Sequence, residues 1–183
     1  MVCGPLRVGV VVFVVGLVAG CSSTGVFESQ AEPAQPAEGD LCAVCGTAVT
    51  AYPAWVVQVA FEDGSSAFFD SPRDAFEYLL SRSRYLPEKS QTKIGAVFVT
   101  DYLDGRRVDA RTAFYVNGSE VHGPTGRQLV PVASLESAES LLGDSPGARI
   151  IRYEEITTAV LRTLNRPPDK HSTWVAGWNG SEQ

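Results

Sequence analysis

From Trp55 onward the chain alternates short apolar runs with turn signals, and two successive rounds follow the same order. In the first round, Trp55-Val56-Val57-Gln58-Val59-Ala60-Phe61 predicts a strand, Glu62-Asp63-Gly64-Ser65 a hairpin turn, and Ala67-Phe68-Phe69 the returning strand. Ser71 is placed to cap a helix with Pro72 at its first position and Asp74 in its first turn. Ala75, Phe76, Leu79 and Leu80 recur at helical spacing and predict its inward face, and Ala96 to Thr100 reads as the next strand. The second round opens with Ala113-Phe114-Tyr115-Val116, turns at Asn117-Gly118-Ser119 and returns through Val121. After a longer irregular segment, Ser134 caps a second helix with Leu135, Ala138, Leu141 and Leu142 inward and Gly143 as its stop. Ala148 to Tyr153 closes the round as a strand. Phe61-x-Asp63-Gly64-Ser65 also matches Tyr115-x-Asn117-Gly118-Ser119. The expected fold class is therefore α+β, with two similar ββαβ units (about 54–103 and 112–156) packed as one small body.

The flanks read differently. Arg7 is followed by an apolar run from Val8 to Gly20, shorter than the ~20 residues a membrane-spanning helix needs and suited to a secretory signal. The run ends in Val18-Ala19-Gly20-Cys21, which resembles the lipobox of bacterial lipoproteins and implies cleavage before Cys21 and acylation of that cysteine. Residues 1–20 are then a signal peptide. Ser22 to Gly39 is rich in Ser, Ala, Glu, Pro and Gly and reads, with Cys21 and Asp40, as an acylated end and flexible linker over 21–40. Ser22-Ser23, with no Asp after the cysteine, points to the outer membrane facing the periplasm if the source is Gram-negative. The folded domain is expected over 41–164, with a last helix from Glu155 to Leu164 stopped by Arg166-Pro167-Pro168. Residues 165–183, including His171, Trp174 and Trp178, are expected to be disordered.

Charge narrows the partners. Loss of residues 1–20 removes Arg7 and moves the formal charge from −6 to −7, which argues against a nucleic-acid partner. The candidate chemistry lies in Asp40-Leu41-Cys42-Ala43-Val44-Cys45-Gly46-Thr47, where two thiols can face one point if the chain turns at Gly46. Such a pair can hold a soft metal, form a disulfide or exchange thiols. A thioredoxin-like enzyme is disfavoured, because the thiols there should open a helix, whereas Gly46 and the nearby Pro53 suit a turn. No paired carboxylates or serine–base motif stands out, so the protein is read as no enzyme. Asp63, Asp70, Asp101, Asp104 and Asp109 are all explained by turns and caps.

Several stretches, in this order and behind the lipobox, resemble the NosL family from Leu41 to about Thr157. They are Cys42-x-x-Cys45-Gly46, Val99-Thr100-Asp101-Tyr102 with Val108-Asp109-Ala110, Ala113-Phe114-Tyr115-Val116-x-Gly118-Ser119, and Gly123-Pro124-x-Gly126. The resemblance implies a pair of ββαβ units, Cu(I) binding, and delivery of copper outside the cytoplasm. Its implied partners are nitrous-oxide reductase, an ABC-type maturation transporter, and the membrane through the lipid anchor. The family pattern carries methionine where this chain has Thr47 and Thr125, and the only methionine here is Met1. Carry-over thus supports Cys42 and Cys45 as ligands and denies a thioether role at 47 and 125. His122 stands beside the altered motif as a further candidate ligand. Four readings of the pair stay open at this point. They are a two-thiolate Cu(I) site with or without His122, a Cys42–Cys45 disulfide in a non-metal interaction module, a zinc site short of ligands, and a relative whose copper binding is weakened or lost.

Overall fold

The computed structural model describes residues 31–143, 145 and 147–164. The signal, the lipobox with Cys21, and the tail with His171, Trp174 and Trp178 lie outside the described residues. Among the described residues no helix is long and apolar enough to cross a membrane.

Three strands and a helix build the first half: β1 (Val57–Phe61), β2 (Ser66–Phe69), α1 (Pro72–Leu80) and β3 (Ile94–Thr100). A short helix, α2 (Arg82–Tyr85), follows α1, and β4 (Arg107–Asp109) joins beyond β3. The antiparallel sheet runs β2-β1-β3-β4, with Val57 opposite Phe69 on one side and Val99 on the other. Every residue of β1 is buried, as a central strand covered on both faces must be. One of them is polar: the amide of Gln58 accepts from Ala34 N–H at 2.7 Å and donates to Ser66 Oγ at 3.0 Å. The last part of the linker region is thereby held against this sheet.

The second half contains β5 (Phe114–Asn117), β6 (His122–Gly123), β7 (Gly126–Arg127), β8 (Val130–Val132), α3 (Leu135–Leu142) and β9 (Arg149–Ile151). Its sheet runs β8-β5-β9, so in both halves the first strand lies between the returning and the closing strand. The returning strand is not at Val121. Gly118 adopts φ +87° and passes so close to the Ala148 backbone that a Cβ would stand 3.3 Å from it, so Asn117-Gly118-Ser119 is no hairpin turn. The chain instead makes the separate β6–β7 hairpin and returns at Val130–Val132, opposite Phe114–Val116. Pro131 is tolerated there because β8 is an edge strand.

Alternation along β5 divides the interior. Tyr115 faces the larger core with Phe76, Val57 and Ile151, while Val116 faces a smaller one with Val130, Val132 and Ala138 of α3. Trp55 joins the smaller core from the first half and so ties the halves together. Both helix caps form: Ser71 Oγ accepts from Asp74 N–H at 3.3 Å and Ser134 Oγ from Ser137 N–H at 3.1 Å. The inward face of α1 differs from the expected one. Tyr78 is buried and stacks on Phe69 with centroids 5.0 Å apart, whereas Leu80 is 45% exposed. On α3, Ala138 is buried and Leu135 exposed. The closing helix α4 (Thr158–Leu164) is shorter than expected, following a 3-10 turn at Tyr153–Glu155, and lays Val160, Leu161 and Leu164 into the larger core.

Candidate metal centre

The cysteine pair sits on a tight turn. Leu41 bridges Ala48, Cys42 N–H donates to Thr47 O at 2.8 Å, and Gly46 N–H donates to Cys42 O at 2.8 Å. Gly46 takes φ +76°, a conformation few side chains tolerate, which lets the turn close within so few residues. The turn aims both thiols at the start of α1. Cys42 is buried in the larger core and Cys45 is exposed, and both are free thiols.

Two carboxylates meet them there. Asp70 ends the first hairpin just before the Ser71 cap, Asp74 lies in the first turn of α1, and both are buried. Cys42 Sγ, Cys45 Sγ and one carboxylate oxygen from each aspartate all lie within 4.8 Å of one another. Cys45 Sγ is 3.4 Å from both oxygens of Asp70 and 3.2 Å from Thr47 Oγ1, and Cys42 Sγ is 3.7 Å from Asp74 Oδ2. Helix starts favour negative charge, which makes the place suitable for carboxylates.

Burial sets the protonation of the group. Desolvation pushes the Cys42 thiol far above its ordinary value, and backbone N–H groups of Asp70, Cys45 and Val44 offset only part of this. Desolvation also raises Cys45, against the opposing hydrogen bond from Thr47. Asp74 is raised for the same reason, with the charge of Asp70 adding to the effect of burial. Cys42, Cys45 and Asp74 are thus disposed to keep their protons until a cation replaces them.

Of the residues singled out in the sequence, the structure brings Cys42, Cys45, Thr47 and Thr125 to this place. Thr125 comes from the turn of the β6–β7 hairpin and donates from Oγ1 to Asp74 Oδ1 at 3.4 Å. His122 lies on the same hairpin but outside the group; it is exposed and its Nδ1–H donates to Glu120 O at 2.7 Å. Asp70 and Asp74, which local turn and helix-start preferences explain in the sequence, also come to this group. One signal was available: Ser71 already caps the helix, which leaves the flanking acids at i and i+4 with no capping work to do.

On this α+β body, two thiols and two carboxylates form a group that could hold a metal ion. The chain belongs to the NosL family, whose model, described as NosL, matches residues 33–161. The copper-binding lipoprotein NosL of Stutzerimonas stutzeri is 29% identical over 144 residues, 78% of this chain and 75% of that protein. The crystal structure of the copper chaperone NosL from Shewanella denitrificans superposes with a TM-score of 0.58 at 26% identity, covering 69% of this chain and 97% of that one.

Proposed function

We propose that the protein is a lipid-anchored, extracytoplasmic Cu(I) chaperone that supplies copper for the centres of nitrous-oxide reductase, working with an ABC-type maturation transporter. The observation that carries the reading is the thiol pair facing Asp70 and Asp74, with Cys42 buried and Cys45 exposed. The family membership and the printed descriptions of its relatives support it.

The donors fit a soft monovalent ion. Two thiolates satisfy Cu(I) without a thioether, and the thiol protons that copper displaces are released to solvent. Cys42 acts as the anchor, because burial shields it from competing ligands. Cys45, open to solvent, is the thiol at which an acceptor's ligand exchanges, so copper leaves by the route its exposure defines. Nothing in this cycle breaks a covalent bond of the protein, and the role is carriage rather than catalysis. The anchor at Cys21 would keep the carrier at the membrane surface.

A second reading draws on the same four groups. Two thiolates and two carboxylates supply four donors, the number zinc takes, and their combined charge suits a divalent ion better than a monovalent one. Competition decides between the two. The reduced full chain is offered Cu(I) against a chromogenic Cu(I) chelator and Zn(II) against a zinc indicator. The copper reading expects one Cu(I) per chain, retained in a moderate excess of Zn(II). Preferential retention of zinc would replace it.

A further inference from the structure

We propose that Gln128 is a positioning residue for the Cys42–Cys45–Asp70–Asp74 group, fixing the start of α1 from the other half of the molecule. The proposal rests on the reading of that group as the copper site. Gln128 is completely buried, just after β7, and both ends of its amide are committed. Its Oε1 accepts from Arg73 N–H at 3.2 Å, and its Nε2 donates to Thr125 Oγ1 at 3.1 Å.

Those two bonds matter because of where they fall. The first N–H groups of a helix have no partner within it. In α1, Pro72 has none to offer, Asp74 N–H goes to Ser71 Oγ, and Arg73 N–H is the one that Gln128 takes. The helix turn carrying Asp74, directly after Asp70, is therefore held by a residue 54 positions downstream of Asp74. The other end of the amide holds Thr125, whose hydroxyl donates to Asp74 Oδ1 and lies 3.4 Å from Ser71 Oγ. Arg73 completes the link by donating from Nη1 to Thr125 O at 2.5 Å. One side chain thus sets both the helix start and the orientation of one site carboxylate.

Gly123 shows how closely this amide is fitted. A Cβ at that position would stand 2.7 Å from Gln128 Cγ and 3.2 Å from the Trp55 ring, so the hairpin can cross the glutamine stem only with glycine there. Displacing the stem from Gly123 is a second way to break the link without touching the amide itself.

The test uses the reduced full chain, first without metal. Gln128→Leu removes both bonds, and Gly123→Ala pushes the stem aside. In either variant, iodoacetamide should label the buried Cys42 faster than in the parent, because the helix start that covers it loosens. Loaded with Cu(I) in chelator competition, Gln128→Leu should bind about tenfold more weakly, the lower end of what outer partners of metal ligands contribute. Gln128→Leu combined with Thr125→Val should be no weaker than Gln128→Leu alone, since both act through one link. Gln58→Leu breaks a buried amide elsewhere in the sheet and should change neither readout. Gln128→Leu that behaves as Gln58→Leu does, in labelling and in affinity, overturns the proposal. If Gln128→Leu does not fold, Gly123→Ala decides on the same terms. Should the parent itself take up no Cu(I), the copper reading fails, and the labelling arm still decides the role of Gln128.

Discussion

Cys45 and Asp70 are 25 residues apart in the chain, yet the sulfur of one lies 3.4 Å from both carboxylate oxygens of the other. The contact joins the cysteine turn to the end of the first hairpin, and it places a hard oxygen donor beside a soft sulfur. A thiol next to a buried carboxylate is poorly disposed to ionise by itself. If the proposed metal binds here, it does so by exchange with protons.

Asp74 should cost stability in the metal-free protein. Its folded pKa is raised by burial, so its favourable contribution is present at low pH and is lost as pH rises through that value. Asp74→Asn keeps an oxygen to accept from Thr125 and removes the charge. Thermal unfolding of the metal-free variant at pH 7 should therefore give a midpoint above that of the parent, while its Cu(I) affinity falls. A lower midpoint would mean that the charge is well solvated or paired.

Metal uptake should depend steeply on pH. Both thiols are raised by desolvation, so both carry protons at neutral pH and both must lose them to bind. Between pH 6 and 8 the apparent Cu(I) affinity should rise with pH by about two logarithmic units per unit, matching about two protons released. Chelator competition at fixed free copper measures the slope. A slope near zero would show that the thiols are already ionised.

The resemblance implies methionine at positions 47 and 125, where this chain has Thr47 and Thr125, and both face the group. Thr47 Oγ1 is 3.2 Å from Cys45 Sγ, and Thr125 Oγ1 is 3.4 Å from Asp74 Oδ1. Thr47→Met with Thr125→Met should tighten Cu(I) binding by about 1–3 kcal/mol, the size of an ordinary coupled contribution. The double variant should also lose its metal less readily to mild oxidants. Unchanged affinity in a folded double variant would remove these positions from the metal's surroundings.

The anchor has its own test. With its own signal in a bacterial host, the protein should partition with membranes and carry fatty acids on Cys21. Cys21→Ala should move it to the soluble fraction, because it removes the residue that carries the acyl chains. Equal membrane retention by the variant would end the claim.

The first hairpin, the Ser71 and Ser134 caps and the turn at Gly46 were legible because each depends on a few adjacent residues with strong local preferences. The returning strand at Val130–Val132 was not, since Pro131 argues against a strand until its edge position is known. Tyr78 displaced Leu80 from the inward face through its stacking on Phe69, a contact between elements that no single helix pattern reports. The thiols were visible in the site because of their spacing. Asp70 and Asp74 were masked by an adequate local explanation, and Gln128 gives no signal at all, because its contact with Arg73, 55 residues away, forms only when the two halves pack together.

The central claim is that Cys42 and Cys45 hold Cu(I) beside the two aspartates. The most direct measurement is anaerobic competition between the reduced protein and a chromogenic Cu(I) chelator, run on the parent, Cys42→Ser, Cys45→Ser, the double variant and His122→Ala. The parent should bind one Cu(I), each single cysteine variant should lose most of that binding, and the double variant should lose all of it. His122→Ala should match the parent within about twofold, because that ring is exposed and turned to Glu120 O. Copper binding that survives in the double cysteine variant would contradict the account.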